Sequence, residues 1–275
     1  MESLLIWTIA QAEMREGLRN KWLWLYAVGF AGLALALSRA GLSAAGYAGL
    51  GGFGRTAASL INALLLFVPL IGLSVGAHSL AADRERGTLL YLLAQPVSRA
   101  EIFAGKTLGA ALAVLTALAL GFGLAGLGLG LSGGGETTIY LAFVGYTLLL
   151  ALVALGLGFI ISSLTRKAAA ASGAALILWL GLVFLADLGI LGAALTWQPN
   201  PLGLLGLLLV NPLQIFKLGA IHALRASLDS LGPVGQYALF RFGDQLPLLL
   251  TGLLALWALA AFTLAFAIFN RRGDA

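Results

Sequence analysis

Long apolar runs alternate along this chain with short charged clusters, and the runs have the length of a membrane crossing. An α-helix rises about 1.5 Å per residue, so about 20 consecutive apolar residues span a hydrocarbon layer. Runs without Asp, Glu, Lys or Arg occur at Thr56–Ala82, Thr107–Gly135, Thr137–Thr165, Ala168–Ala186 and Gln245–Asn270. A shorter one, Trp22–Leu37, is framed by Lys21 and Arg39, which can snorkel to the two interfaces. These runs predict an all-α integral membrane protein with six transmembrane helices, at approximately 22–39, 57–80, 107–131, 138–161, 169–190 and 246–269. One further uncharged stretch, Leu188–Phe216, is interrupted by Pro199, Asn200, Pro201, Asn211 and Pro212. Proline removes a helix hydrogen bond that lipid cannot replace, so this stretch is expected to end span five and continue as short interfacial or re-entrant helices. Residues 191–245 thus form an extracytoplasmic segment, with Lys217, His222, Arg225, Asp229, Arg241 and Asp244 as its polar groups.

The segments between the spans are the informative ones. Residues 1–20 predict an amphipathic helix along the cytoplasmic membrane face, with Leu4, Trp7, Met14 and Leu18 on one imperfect stripe beside Gln11 and Arg15. Glu2, Glu13, Arg15, Glu16 and Arg19 crowd this start, so span one is expected to anchor the chain without a cleaved signal peptide. Residues 81–106 predict a helix–turn–helix elbow. Asp83, Arg84, Glu85 and Arg86 form a charged collar where span two ends, Gly87 loosens the chain, and Leu89, Leu90, Leu92 and Leu93 resume an apolar face. Gln95 and Pro96 stop that short helix, and Ser98 and Glu101 have capping-box spacing for the next, with Val97 and Ile102 placed as a hydrophobic staple. Small residues such as the pairs Gly72/Gly76 and Gly126/Gly130 predict close helix packing in lipid.

Composition sharpens this picture. Of 275 residues 60% are hydrophobic and 10% charged, more apolar surface than a soluble domain can bury. Six spans place Arg15, Arg19, Lys21, Arg84, Arg86, Arg99, Lys106, Arg166, Lys167, Arg271 and Arg272 on one side, against Arg39, Arg55, Lys217, Arg225 and Arg241 on the other. Basic loops stay in the cytoplasm, so both termini are expected there, and the net charge of +5 reflects topology, not nucleic-acid binding. With no cysteine, two histidines (His78 and His222) and two methionines, the chain has no cluster with metal-ligand spacing. No catalytic constellation is visible either. Asp187, at the outer end of span five, fits either a pathway or a solvated acid.

Two fragments imitate nucleotide-binding motifs. Gly105, Lys106 and Thr107 resemble the end of a phosphate loop, but Ala100 stands where its first glycine belongs. Leu131–Gly135 reads LSGGG, yet the topology puts it in an outer turn. Neither has its required context, so the chain is not expected to hydrolyse ATP.

The contiguous run Asp83, Arg84, Glu85, Arg86, Gly87, Thr88, Leu89 to Ala94, then Gln95, Pro96, Val97, Ser98, Arg99 resembles the second cytoplasmic elbow of the ABC-2 type permeases. Six spans, cytoplasmic termini and an amphipathic start are also similar to that family. The resemblance implies a type V exporter-like permease fold in the bacterial inner membrane, working as a homodimer. It implies that the elbow is a coupling helix, with Asp83, Arg84, Glu85, Arg86, Gly87 and Thr88 coupling it to a separate ATP-binding subunit that uses ATP and magnesium. No cofactor is implied for this chain. The length, the glycine-rich spans and the outer segment beginning at Asn211 look most like permeases that assist copper-centre assembly in nitrous oxide reductase. That implies a periplasmic repeat protein against 191–245. The alternatives are an ABC-2 exporter of another small molecule or lipid, an ion-driven secondary transporter, which needs mid-bilayer acids, and an intramembrane enzyme, which lacks a convergent catalytic set.

Overall fold

The computed structural model describes residues 2–19, 24, 28–29, 32, 50–131, 137–196, 200–223 and 233–271. Every element among them is helical: α1 Glu2–Arg19, α2 Leu50–Arg86, α3 Thr88–Leu93, α4 Arg99–Leu131, α5 Thr137–Leu164, α6 Ala168–Leu180, α7 Ala186–Thr196, α8 Pro201–Val210, α9 Pro212–Ala223, α10 Pro233–Phe242 and α11 Leu246–Arg271. Among the described residues five helical stretches are long and apolar enough to cross a membrane, Ile61–Arg86, Arg99–Gly123, Tyr140–Leu164, Ala168–Ala193 (α6 into α7) and Gly235–Arg271 (α10 into α11), and a sixth crossing is reached if α8 and α9 are counted as one broken span. The expected span at 22–39 lies almost wholly outside the described residues, as do the Leu131–Gly135 turn beyond Leu131, Arg225, Asp229 and Arg272.

Helix α2 pairs along its length with α5, and the sequence explains how close they come. A Cβ on Gly76 would meet the Leu155 carbonyl oxygen, one on Gly72 would lie 2.8 Å from the Ala151 oxygen, and one on Gly158 would lie 2.6 Å from the Leu73 oxygen. Lipid supplies no hydrophobic drive between helices, so such backbone-to-backbone approach is what dispersion packing there needs. The second expected pair, Gly126 and Gly130, lies where side-chain packing is outside the described residues. Phe103 of α4 anchors an aromatic cluster, its ring 5.7 Å from Phe159 of α5 and 5.4 and 5.7 Å from Phe266 and Phe269 of α11. A lighter seam of Leu73, Ala77 and Ala81 on α2 with Ala171 and Ala175 holds α6.

The proline-broken stretch folds into two short helices. Asn200 caps α8, its Oδ1 accepting from Gly203 N–H at 2.8 Å, with Pro201 in the first turn where its missing donor is harmless. At Asn211 the chain bends by 111° into α9. The Asn211 side chain accepts from Leu213 N–H and donates to the Leu182 carbonyl, in a widened i→i+5 turn, Gly181–Leu185, joining α6 to α7. Gln214 donates to Asp187 at 2.5 Å. Helix α9 is buried from Pro212 to Phe216, and its Gly219 lies against the Tyr146 ring of α5. A bend of that size with a buried second arm makes the pair a broken span or a re-entrant loop, not a straight span.

Helix α1 forms where the amphipathic pattern predicts it, and the expected stripe is divided between core and surroundings. Ala10 is buried and Ile9, Met14 and Leu18 pack into the core, whereas Leu4 and Trp7 are exposed. Its partner is α4: Cβ atoms on Gly105 and Gly109 would run into Ile9, the Ile6 and Ala10 carbonyl oxygens and Glu13, and one on Gly17 would meet Ala113. The register advances together on both helices, so α1 lies lengthwise and parallel against α4.

Candidate functional site

The elbow is a polar junction between helices. Helix α2 continues unbroken to Arg86, so the collar is its last turn. Side chains on a helix step round by about 100° per residue, and four consecutive collar residues therefore point at four different neighbours.

Asp83 is buried and its Oδ2 lies 2.6 Å from Lys106 Nζ of α4. Lys106 also donates to Glu13 of α1 at 2.5 Å, and the other Glu13 oxygen accepts from Ser79 Oγ at 2.5 Å. Arg84 donates to the carbonyls of Ser162 (2.6 Å) and Thr165 (3.0 Å) at the end of α5, with its guanidinium 6.0 Å from the Phe269 ring centroid. Glu85 accepts from the Ala168 N–H at 2.8 Å, the first residue of α6. Arg86 donates through two nitrogens to Glu16 of α1, both at 3.0 Å.

The polarities are complementary. A helix ends in unpaired carbonyls carrying partial negative charge and begins with unpaired amides carrying partial positive charge. Arg84 supplies the cation to the end of α5 and Glu85 the anion to the start of α6, where Lys167 at the cap position gives no side-chain cap bond. Ser162 closes the same corner, its hydroxyl accepting from the Leu80 and Ala81 amides at 2.8 Å.

Gly87 follows with φ 76°, a left-handed conformation that lets α3 start directly after α2. Leu89 plugs the core, Leu92 and Leu93 pack partly into it, and Leu90 and Tyr91 point outward at 57% and 70% exposure. The apolar face expected to include Leu90 is therefore divided, with one side holding the elbow in place and the other presented to the surroundings. The turn back is built as its sequence predicts. Ser98 N–H and Oγ both bond Glu101 Oε2 at 2.7 Å, Glu101 N–H returns to Ser98 Oγ at 3.2 Å, and Val97 and Ile102 join one core cluster.

The structure thus gathers Asp83, Arg84, Glu85 and Arg86 into one junction, sets Gly87 as its hinge, and leaves Thr88 exposed at the start of α3. It adds Glu13, Glu16, Ser79, Lys106 and Ser162, which the sequence offered only as separate polar residues. In the sequence Lys106 stands out only as part of a false phosphate loop and as a topological charge, and neither pattern marks it as a partner of Glu13 and Asp83. Elsewhere, His78 is exposed near the Ser172 hydroxyl of α6, Asp187 is exposed beside Gln214, Lys217 and His222 are half-buried on α9, and Arg241 and Asp244 are exposed.

Residues 7–273 match the family described as ABC-2 family transporter protein. The chain is 35% identical to the probable ABC transporter permease protein NosY of Pseudomonas aeruginosa, over 97% of this chain and 98% of that protein. It is 32% identical to the protein of the same description from Stutzerimonas stutzeri, with the same coverage.

Proposed function

The chain belongs to the ABC-2 transporter family and is a multi-pass, non-catalytic permease subunit similar to NosY, and from that premise we propose that its elbow couples a separate ATPase to the membrane bundle. The observation that carries this is the construction of α3. A short helix with an outward Leu90–Tyr91 pair is pinned by Leu89 to the core and carried between two long apolar helices, α2 and α4. An aliphatic–aromatic pair beside a polar collar suits a protein partner, where such side chains supply most contact energy.

In this reading Asp83, Arg84, Glu85, Arg86, Gly87 and Thr88 act in coupling, the collar by holding the elbow and α3 by touching the ATPase. The ATPase, NosF-like, uses ATP and magnesium; this chain holds no cofactor. The working unit is a dimer of the chain in the inner membrane with both termini cytoplasmic, as the distribution of basic residues supports. A NosD-like periplasmic protein meets the 191–245 side, and the machine serves copper-centre assembly of nitrous oxide reductase.

The test is co-purification from a strain expressing the complete transporter. Leu90→Glu with Tyr91→Glu is expected to lose the ATPase while the permease unfolds within a few degrees of wild type; an ATPase retained in full sinks the docking assignment. Deleting the gene for this chain is expected to leave nitrous oxide reductase without its copper centres, and a fully loaded enzyme rejects that role.

A further inference from the structure

One of the collar's ties is buried. Lys106 lies 2.5 Å from Glu13 and 2.6 Å from Asp83 with only 4% of its side chain exposed, where three helices converge. The exposed Arg86–Glu16 pair alone holds little, because water and salt compete with it. A buried pair behaves differently: removing one partner strands a charge away from water. The glycine notch at Gly105 and Gly109 seats the α1 backbone directly under this cluster, so α1 cannot slide along α4 without lifting out of contact. Apolar side chains would pack α1 on α4 without desolvating three charges. The best-attested use of such buried polar groups is to fix one register among several.

We infer that Lys106 is a positioning residue: by holding Glu13 of α1 and Asp83 of α2 on one ammonium, it makes α1 and the elbow a single rigid lever. Displacement of α3 then carries α1 with it, in addition to the helices covalently joined to the elbow. The source of the push rests on the docking role proposed above, whereas the latch is a property of this chain alone.

The chain has no cysteine, so an engineered pair reads without background. A Cβ on Gly17 would lie 2.8 Å from Ala113 Cβ, which a shift of about 1 Å brings to disulfide separation. With Gly17→Cys and Ala113→Cys in the purified chain, mild oxidation is expected to close the disulfide readily, and at least about tenfold more slowly when Lys106→Met is added, as α1 leaves its seat. Equal rates overturn the inference. In the reconstituted transporter, Lys106→Met is expected to keep the ATPase bound and to lose most of the permease-dependent ATP turnover. Oxidising the cysteine pair should restore at least half of that turnover. Undiminished turnover, or a loss the cross-link leaves unrepaired, overturns the inference. An ATPase that never associates with the wild-type chain instead rejects the docking role, and the disulfide rates still decide the latch.

Discussion

Gly76 and Gly87 are glycine for opposite reasons, and their substitutions separate accordingly. At Gly76 a side chain would meet the Leu155 carbonyl and the backbone of Gly158 and Phe159, none of which can turn aside. Gly76→Val is expected to destabilise the bundle by about 1–3 kcal/mol through overpacking, read as a lower unfolding temperature in detergent. Around Gly87 nothing lies within 4 Å of a new Cβ, and only the positive φ resists. Gly87→Ala is therefore expected to cost about 1 kcal/mol, with the ATPase still bound but less tightly as α3 tilts. The first effect was legible from the Gly72/Gly76 spacing. The position of Lys106 was not, because a lone lysine near a span end reads equally well as a topological charge, and only the fold brings Glu13 and Asp83 to it from 93 and 23 positions away.

At the scale of elements, what the sequence disclosed depended on whether the signal was local. The α4 start was fully legible, since a capping box and a staple lie within six residues of each other. Ser98→Ala removes the reciprocal bonds with Glu101 and is expected to cost about 1 kcal/mol. Its signature is faster amide exchange confined to the first turn of α4, and unchanged exchange there counts against the cap. The face of α1 was legible only in part, because periodicity shows that a helix has an apolar side without showing which of its residues a neighbouring helix takes: Met14 and Leu18 of the expected stripe pack into the core with Ile9 and Ala10. Leu4 and Trp7 are left open, while the glycines that seat the rest of α1, Gly105 and Gly109, are on α4, 96 positions or more beyond the residues they meet. The bend at Asn211 was announced by its prolines, but its docking onto the Leu182 carbonyl was not, since the widened turn at Gly181–Leu185 has no sequence mark.

For the whole molecule, the apolar runs say that the chain crosses a membrane, and the distribution of Lys and Arg predicts which way round. These are independent statements. Spans follow from the energetics of exposing backbone and charge to lipid, whereas orientation follows from an excess of basic residues in short loops. The structure places the collar, the α5–α6 turn and the end of α11 together, as Arg84 contacts the Ser162 and Thr165 carbonyls and lies over Phe269. The basic residues Arg84, Arg86, Lys106, Arg166, Lys167 and Arg271 therefore share one end of the bundle, which is the arrangement that an even number of crossings between the elbow and the end of α11 requires. A single cysteine introduced at Gln95, exposed on the elbow, should resist a membrane-impermeant maleimide in intact cells and react once the inner membrane is opened. One introduced at Phe240, 91% exposed on α10, should react as soon as the outer membrane is permeable. Reversed labelling would put the ATPase on the wrong side of α3 and would remove the coupling role together with the topology. If both sites label from one side, the number of crossings between them is even, and the reading of α4, α5 and the α6–α7 stretch as the three crossings that separate them must be redrawn.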